Sequence, residues 1–121
     1  MTVEEKRMYD LLEKAVDDKS VRRVADCLHY LVVHAGIKQY YYELKFVRSG
    51  SRLLELIGKA LRDLEVLKRE KEHETKIKRF YQPSKDDLAV ALKYYDSLGS
   101  DFIKILSGLT VASCPLCWEG K

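Results

Sequence analysis

The apolar residues Leu53, Leu56, Ile57, Ala60, Leu61, Leu64 and Leu67 recur at steps of three and four. At about 3.6 residues per turn these positions share one face of a helix, and that dry seam has to be covered by other elements of the chain. The opposite side collects Lys59, Arg62, Arg69, His73 and Lys76, with Glu55 among them. Past Leu67 the apolar pattern thins into Lys68, Arg69, Glu70, Lys71, Glu72 and Glu74. No proline precedes Pro83 to force a break. We therefore expect one long helix from Ser51 to about Phe80, with its second half projecting beyond the core it helps to build.

The flanking segments read as further helices. Thr2 and Glu5 have the spacing of a capping box, followed by an apolar face of Met8, Leu11, Leu12, Ala15 and Val16. Ser20 is placed to cap a second helix carrying Val21, Val24, Ala25, Leu28, Leu31, Val32 and Ala35, which Gly36 ends. This is the most apolar helix, and we expect it at the centre. Lys38–Arg48 mixes tyrosines with cations; no second good strand exists to pair with it, so it too reads as a helix. Ser51 would cap the long helix. Ser84, Asp86 and Asp87 mark another helix start, and Gly99 separates that helix from a last one begun by Ser100 and Asp101. The expectation is an all-α single domain over 1–121, a bundle of about five to six helices on one long central helix. Leu28, Leu31, Val32, Leu53, Ile57, Leu61, Leu64, Leu92 and Leu106 should be buried together, leaving an irregular C-terminal tail at 113–121.

Composition narrows the function classes. With 121 residues, 46% hydrophobic and 34% charged, the chain can bury a working core. Its 22 Lys and Arg against 19 Asp and Glu leave a net charge of only +3, and its pI is about 8.7. That falls short of a dedicated nucleic-acid domain, for which a pI above about 9 is usual. Neither a signal peptide nor a run of apolar residues long enough to cross a membrane stands out, so the expected location is cytoplasmic, with no membrane partner. Three cysteines suit a reducing compartment.

Candidate chemistry is sparse. Cys114-Pro115-Leu116-Cys117 is a C-x-x-C, but a redox pair needs its first cysteine at a helix start after a strand. A structural zinc needs two more ligands. Cys27, His29, His34 and His73 are the remaining candidates, and none forms a pair of metal-ligand spacing. His29 and His34, five apart, point about 140° from each other on an α-helix and should not chelate together. The expectation is no metal, no cofactor, no catalytic residue and free cysteines, with Leu116 and Trp118 docked on the bundle or on a neighbour. Tyrosines can stack on unpaired bases while cations hold phosphates. Arg22, Arg23, Lys45, Arg48, Arg52, Lys59 and Arg62 are thus the candidate nucleic-acid contacts, against the alternative of a plain solvated face.

A helix ending in Val32-Val33-His34-Ala35-Gly36, then Tyr40-Tyr41-Tyr42 before a long charged helix, and Tyr81-Gln82-Pro83-Ser84 opening a helical C-terminal half, resemble the small subunit of archaeal type I-A CRISPR effector complexes. Small subunits of type III complexes share the layout. The resemblance implies a non-catalytic subunit of a ribonucleoprotein in antiviral defence. Its partners would be neighbouring subunits, further copies of itself, and the backbone of guide RNA and target DNA, with base pairing supplying sequence recognition. The competing class is a helical protein-interaction module, an adaptor or regulator, without nucleic-acid contact.

Overall fold

The structure, a computed structural model, describes residues 2–119. Its elements are α1 (Val3–Asp17), α2 (Lys19–His29) running on into a π-helical turn (Tyr30–His34), α3 (Gln39–Lys45), α4 (Gly50–Leu67), α5 (Lys71–Phe80), α6 (Lys85–Leu98), α7 (Ser100–Val111) and α8 (Pro115–Glu119). No strand occurs among the described residues. The all-α expectation holds. The helix count exceeds it because the long helix is broken and the tail forms a helix of its own.

α2 packs against α1, α4, α6 and α7 and buries Val21, Val24, Ala25 and Leu28. Leu31, Leu53, Ile57, Leu64 and Leu106 join Leu28 in the core, whereas Val32, Leu61 and Leu92 lie partly buried at its edge. α1 is peripheral: only Ala15 is fully buried, while Met8 and Val16 stay exposed on the face expected to be dry.

The predicted Ser51–Phe80 helix ends at Leu67, in a turn where Arg69 N–H bonds to Val66 O (3.2 Å) and Glu70 N–H to Leu67 O (2.9 Å). The reason is phase. On a continuous helix Ile77 would lie about 120° from the middle of the leucine seam, so the main apolar residue of the second half would face water. The break re-aims α5, burying Ile77 and Tyr81 in the core instead of projecting past it.

Helix caps differ from expectation by small shifts. Asp18, not Ser20, caps α2, accepting from Ser20 N–H (2.9 Å). Ser49, not Ser51, caps α4, accepting from Arg52 N–H (3.1 Å). At α6 Ser84 and Asp87 form the full reciprocal box, each side chain accepting from the other's backbone N–H (3.2 and 2.8 Å). Past Val111, where the sequence suggested an irregular tail, Pro115 opens α8 at the position where its missing N–H is harmless. Trp118 is 69% exposed, so within the chain it does not dock on the bundle.

One segment, Ser100–Trp118, does reach the length and mean hydropathy (1.2) of a membrane span, which the sequence reading did not anticipate. Here it is α7 and α8, separated at Ala112–Cys114, with Phe102, Ile103 and Leu106 in the core.

Candidate functional site: two basic clefts and a His/Cys cluster

The seven predicted cations do not form one surface. Tyr41, Lys45 and Arg48 face α7 across a cleft of about 400 Å³, completed by Ser100, Ile103, Lys104, Ser107, Gly108 and Val111. Lys45 Nζ sits 4.1 Å from the centre of the Tyr41 ring. Arg48 donates to Lys45 O and Val47 O (3.3 Å each), which fixes its guanidinium at the cleft edge. The Ser107 hydroxyl is buried without a hydrogen-bond partner. On the other side of α3, Arg52, Lys59 and Arg62 line a smaller cleft of about 280 Å³ with Glu43 and Glu55. Glu55 takes an ion pair from Arg52 (3.0 Å), so part of that positive charge is already neutralised.

Arg22 and Arg23 lie elsewhere. Arg22 donates to Ser113 O (2.6 Å) and pairs with Asp26 (3.3 Å), and Arg23 pairs with the buried Asp87 (3.3 Å). Both tie α2 to the C-terminal half of the fold, although Arg23 keeps 58% of its side chain exposed. Of the three consecutive tyrosines, Tyr40 is buried with its hydroxyl bonded to Asp63, and Tyr42 is exposed. The sequence did not single out Lys104, which joins Lys45 and Arg48 only through the packing of α3 on α7.

His29 and His34 depart further from α-helical expectation. Beyond α2 the backbone widens: Ala35 N–H bonds to Tyr30 O (2.9 Å), five residues back, and Gly36, at φ +77°, lets Ile37 N–H close onto Leu31 O (2.8 Å). In such a wide turn residues five apart come nearly into register, as residues four apart do in an α-helix, and these turns are frequent at functional sites. The two imidazoles therefore meet, with ring centroids 5.4 Å apart. The 140° separation expected from α-helical geometry does not apply.

Onto this pair the start of α8 brings Cys114 and Cys117. His29 Nε2 lies 3.4 Å from Cys117 Sγ; His34 Nε2 lies 3.5 Å from Cys114 Sγ and 3.4 Å from Cys117 Sγ; and the two sulfurs are 3.7 Å apart. All four ligand atoms fall within 4.8 Å of one another. His29 and Cys114 are buried, and His34 and Cys117 are half-buried.

A second layer holds these side chains in place. His29 Nδ1 lies 2.7 Å from Thr110 O. A carbonyl only accepts, so Nδ1 carries the proton and Nε2 presents its lone pair to the sulfurs. Tyr81, buried with its ring tilted against that of Tyr30, lies with its hydroxyl 2.8 Å from Cys114 Sγ. Burial first, then the nearby His29 and Lys76, push the His34 pKa down and favour its neutral ring. Burial raises the Cys114 thiol, although the Tyr81 hydroxyl and the backbone N–H groups of Cys117 and Leu116 act against that rise. Cys27 stands apart, its thiol pushed up to about 12 by burial and by Asp26, and it is inert in the core.

No family model matches the chain, and comparisons with curated proteins and with solved structures return no significant match.

Proposed function

We propose that the protein is a non-catalytic helical subunit that supports nucleic-acid backbone within a larger ribonucleoprotein. The observation that carries this reading is the α3–α7 cleft, where Lys45, Arg48 and Lys104 surround an apolar floor beside the half-buried Tyr41 ring. Cations around an aromatic and apolar floor suit a strand whose phosphates are held while a base or sugar packs below. Such contacts position a strand and carry no base information. The narrower form of the proposal, a small subunit of a CRISPR effector complex, is supported by the layout of the sequence: a central apolar helix, an aromatic segment and a helical C-terminal half. The small net charge fits a subunit whose neighbours supply effective concentration.

A second reading, a protein-interaction module, is favoured by α1. Val3, Met8, Tyr9 and Val16 are all exposed, and a cleft of about 530 Å³ lined by Tyr9, Leu12, Val16 and Ile105 lies along that helix. The two readings are compatible if α1 faces a neighbouring subunit. Affinity purification from the native host, with and without ultraviolet crosslinking, separates them. The expected result is co-purified nucleic acid crosslinked to this chain, lost in Lys45→Glu/Arg48→Glu/Lys104→Glu while protein neighbours are retained. A crosslink unchanged in that variant removes the cleft from the interface. Protein neighbours without any nucleic acid leave the interaction module as the function.

A further inference from the structure

We propose that His29, His34, Cys114 and Cys117 bind one zinc ion, in a closed tetrahedral site that ties the start of α8 to the π-helical turn after α2. With Zn–S bonds of about 2.3 Å and Zn–N bonds of about 2.0–2.1 Å, a tetrahedron sets sulfur to sulfur at about 3.8 Å and sulfur to nitrogen at about 3.6 Å. The observed separations are 3.7 Å between the sulfurs and 3.4–3.5 Å for three of the four sulfur–nitrogen pairs, and all four ligand atoms lie within 4.8 Å of one another. The sulfurs are too far apart for a disulfide, whose S–S bond is about 2.05 Å. A pair of bridged irons would divide the ligands between two metals and hold the cysteines well away from the histidines. Four mutually close ligands describe a single ion.

Ligand chemistry selects that ion. Two thiolates and two imidazoles are a soft, nitrogen-containing set that suits zinc and gives calcium or magnesium no oxygen to bind. Binding releases the two thiol protons to solvent, and two thiolates with two neutral imidazoles around a dication make an uncharged site. That matters in a place where half the ligands are buried. The outer layer is the kind that metal-bound ligands require, with Thr110 O taking the far N–H of His29 and the Tyr81 hydroxyl meeting Cys114 Sγ. All four positions are filled by protein, which leaves no open position for water or substrate and makes the role structural.

The ring closed is long: His29 and Cys117 are 88 positions apart in the chain. Both pairs also sit on segments of unusual local structure. The histidines span a π-helical turn, and the cysteines flank the first turn of a short helix begun by Pro115.

The full chain without a histidine tag is unfolded in reductant and chelator, then refolded with zinc or with cobalt(II). Mass-spectrometric metal analysis should give one zinc per chain. The cobalt form should show the intense visible bands of tetrahedral cobalt and near-ultraviolet thiolate-to-cobalt absorption. Cys117→Ser should halve the thiolate absorption, and Cys27→Ser, away from the site, should leave it unchanged. Trp118, the one tryptophan in the sequence and adjacent to Cys117, should report zinc removal as a fluorescence change. Refolded wild-type protein that holds less than about a tenth of an equivalent of zinc, or whose cobalt spectrum is that of the six-coordinate ion, overturns the proposal. The four side chains are then a metal-free hydrogen-bonded cluster. The wild-type cobalt spectrum decides even if a ligand variant fails to fold.

Discussion

The α4 seam and the His/Cys cluster hold the same bundle together in opposite ways. Along α4, Leu53, Leu56, Ile57, Ala60 and Leu64 are all buried, and each contributes non-directional packing that depends on helical spacing alone. At the cluster the contacts are few, directional and drawn from three places in the chain: His29 and His34, Tyr81, and the Thr110–Cys117 segment. Packing of the first kind tolerates exchange among residues of similar volume. The second kind fails when one atom is missing. The contrast teaches that local periodicity locates a core, whereas a site of this sort depends on backbone irregularities that bring distant pairs together.

Mutations can sharpen or break the contrast. The largest effect is expected in the seam: Leu53→Ala, at a site with no exposed surface, should lower unfolding free energy by about 2–5 kcal/mol in urea denaturation. A loss below about 1 kcal/mol would show that α4 is less essential than its burial implies. At the cluster, Tyr81→Phe keeps the ring packed against Tyr30 and removes only the hydroxyl beside Cys114. It should weaken zinc binding by about 10–100-fold in competition with a chromophoric chelator, with a far smaller change in the chelated protein. Equal destabilisation with and without metal would make Tyr81 a core residue and nothing more.

The next effect is a local device that belongs to neither region. Ser84→Ala removes half of the α6 capping box and should cost about 1 kcal/mol in the same urea titration. Its partner Asp87 adds a pH signature. Burial pushes the Asp87 carboxyl up, but hydrogen bonds from Ser84, Ser20 and Arg23 outweigh it and hold the folded-state pKa below the ordinary 3.8. A depressed carboxylate stabilises the fold fully above 3.8, and that contribution is lost as pH falls through the lower folded value. Asp87→Asn should therefore flatten the acid limb of a stability-versus-pH curve below pH 3.8 and leave its shape near neutrality unchanged. Smallest of all, Arg52→Ala removes an exposed pair with Glu55 and should shift stability by less than about 0.5 kcal/mol.

Much of the seam was legible in the sequence and little of the cluster was. Leu28, Leu31, Leu53, Ile57, Leu64 and Leu106 are buried as their spacing predicts, since helical periodicity is a local property. The break after Leu67 was not foreseen, because charge alone does not end a helix and the decisive fact is where Ile77 finds cover. The histidine pair was misjudged through the assumption of α-helical geometry at Tyr30–His34. A signal was nevertheless present. Four residues lie between His29 and His34 and two between Cys114 and Cys117, both inside the usual ranges for zinc ligands, here with the histidines first in the chain. Of the predicted cations, Lys45 and Arg48 share a cleft and Arg52, Lys59 and Arg62 share another. Sequence could not separate Arg22 and Arg23 from them, because their partners Ser113 and Asp87 are remote in the chain.

The wide turn at Tyr30–His34 also bears on which insertions and deletions the chain can absorb. It fits five residues where an ordinary helix would place four, and the exposed Val33 lies within it. Deleting Val33 would set the two histidines four apart, the spacing at which an unperturbed α-helix aligns its side chains. The deletion should therefore convert the turn to α-helix and keep both imidazoles on the face they occupy now. Elsewhere in α2 the same deletion would rotate every following residue by about 100° and turn the core face outward. A ΔVal33 chain that still folds and refolds with tetrahedral cobalt would mark the turn as a one-residue insertion tolerated because both histidines survive it.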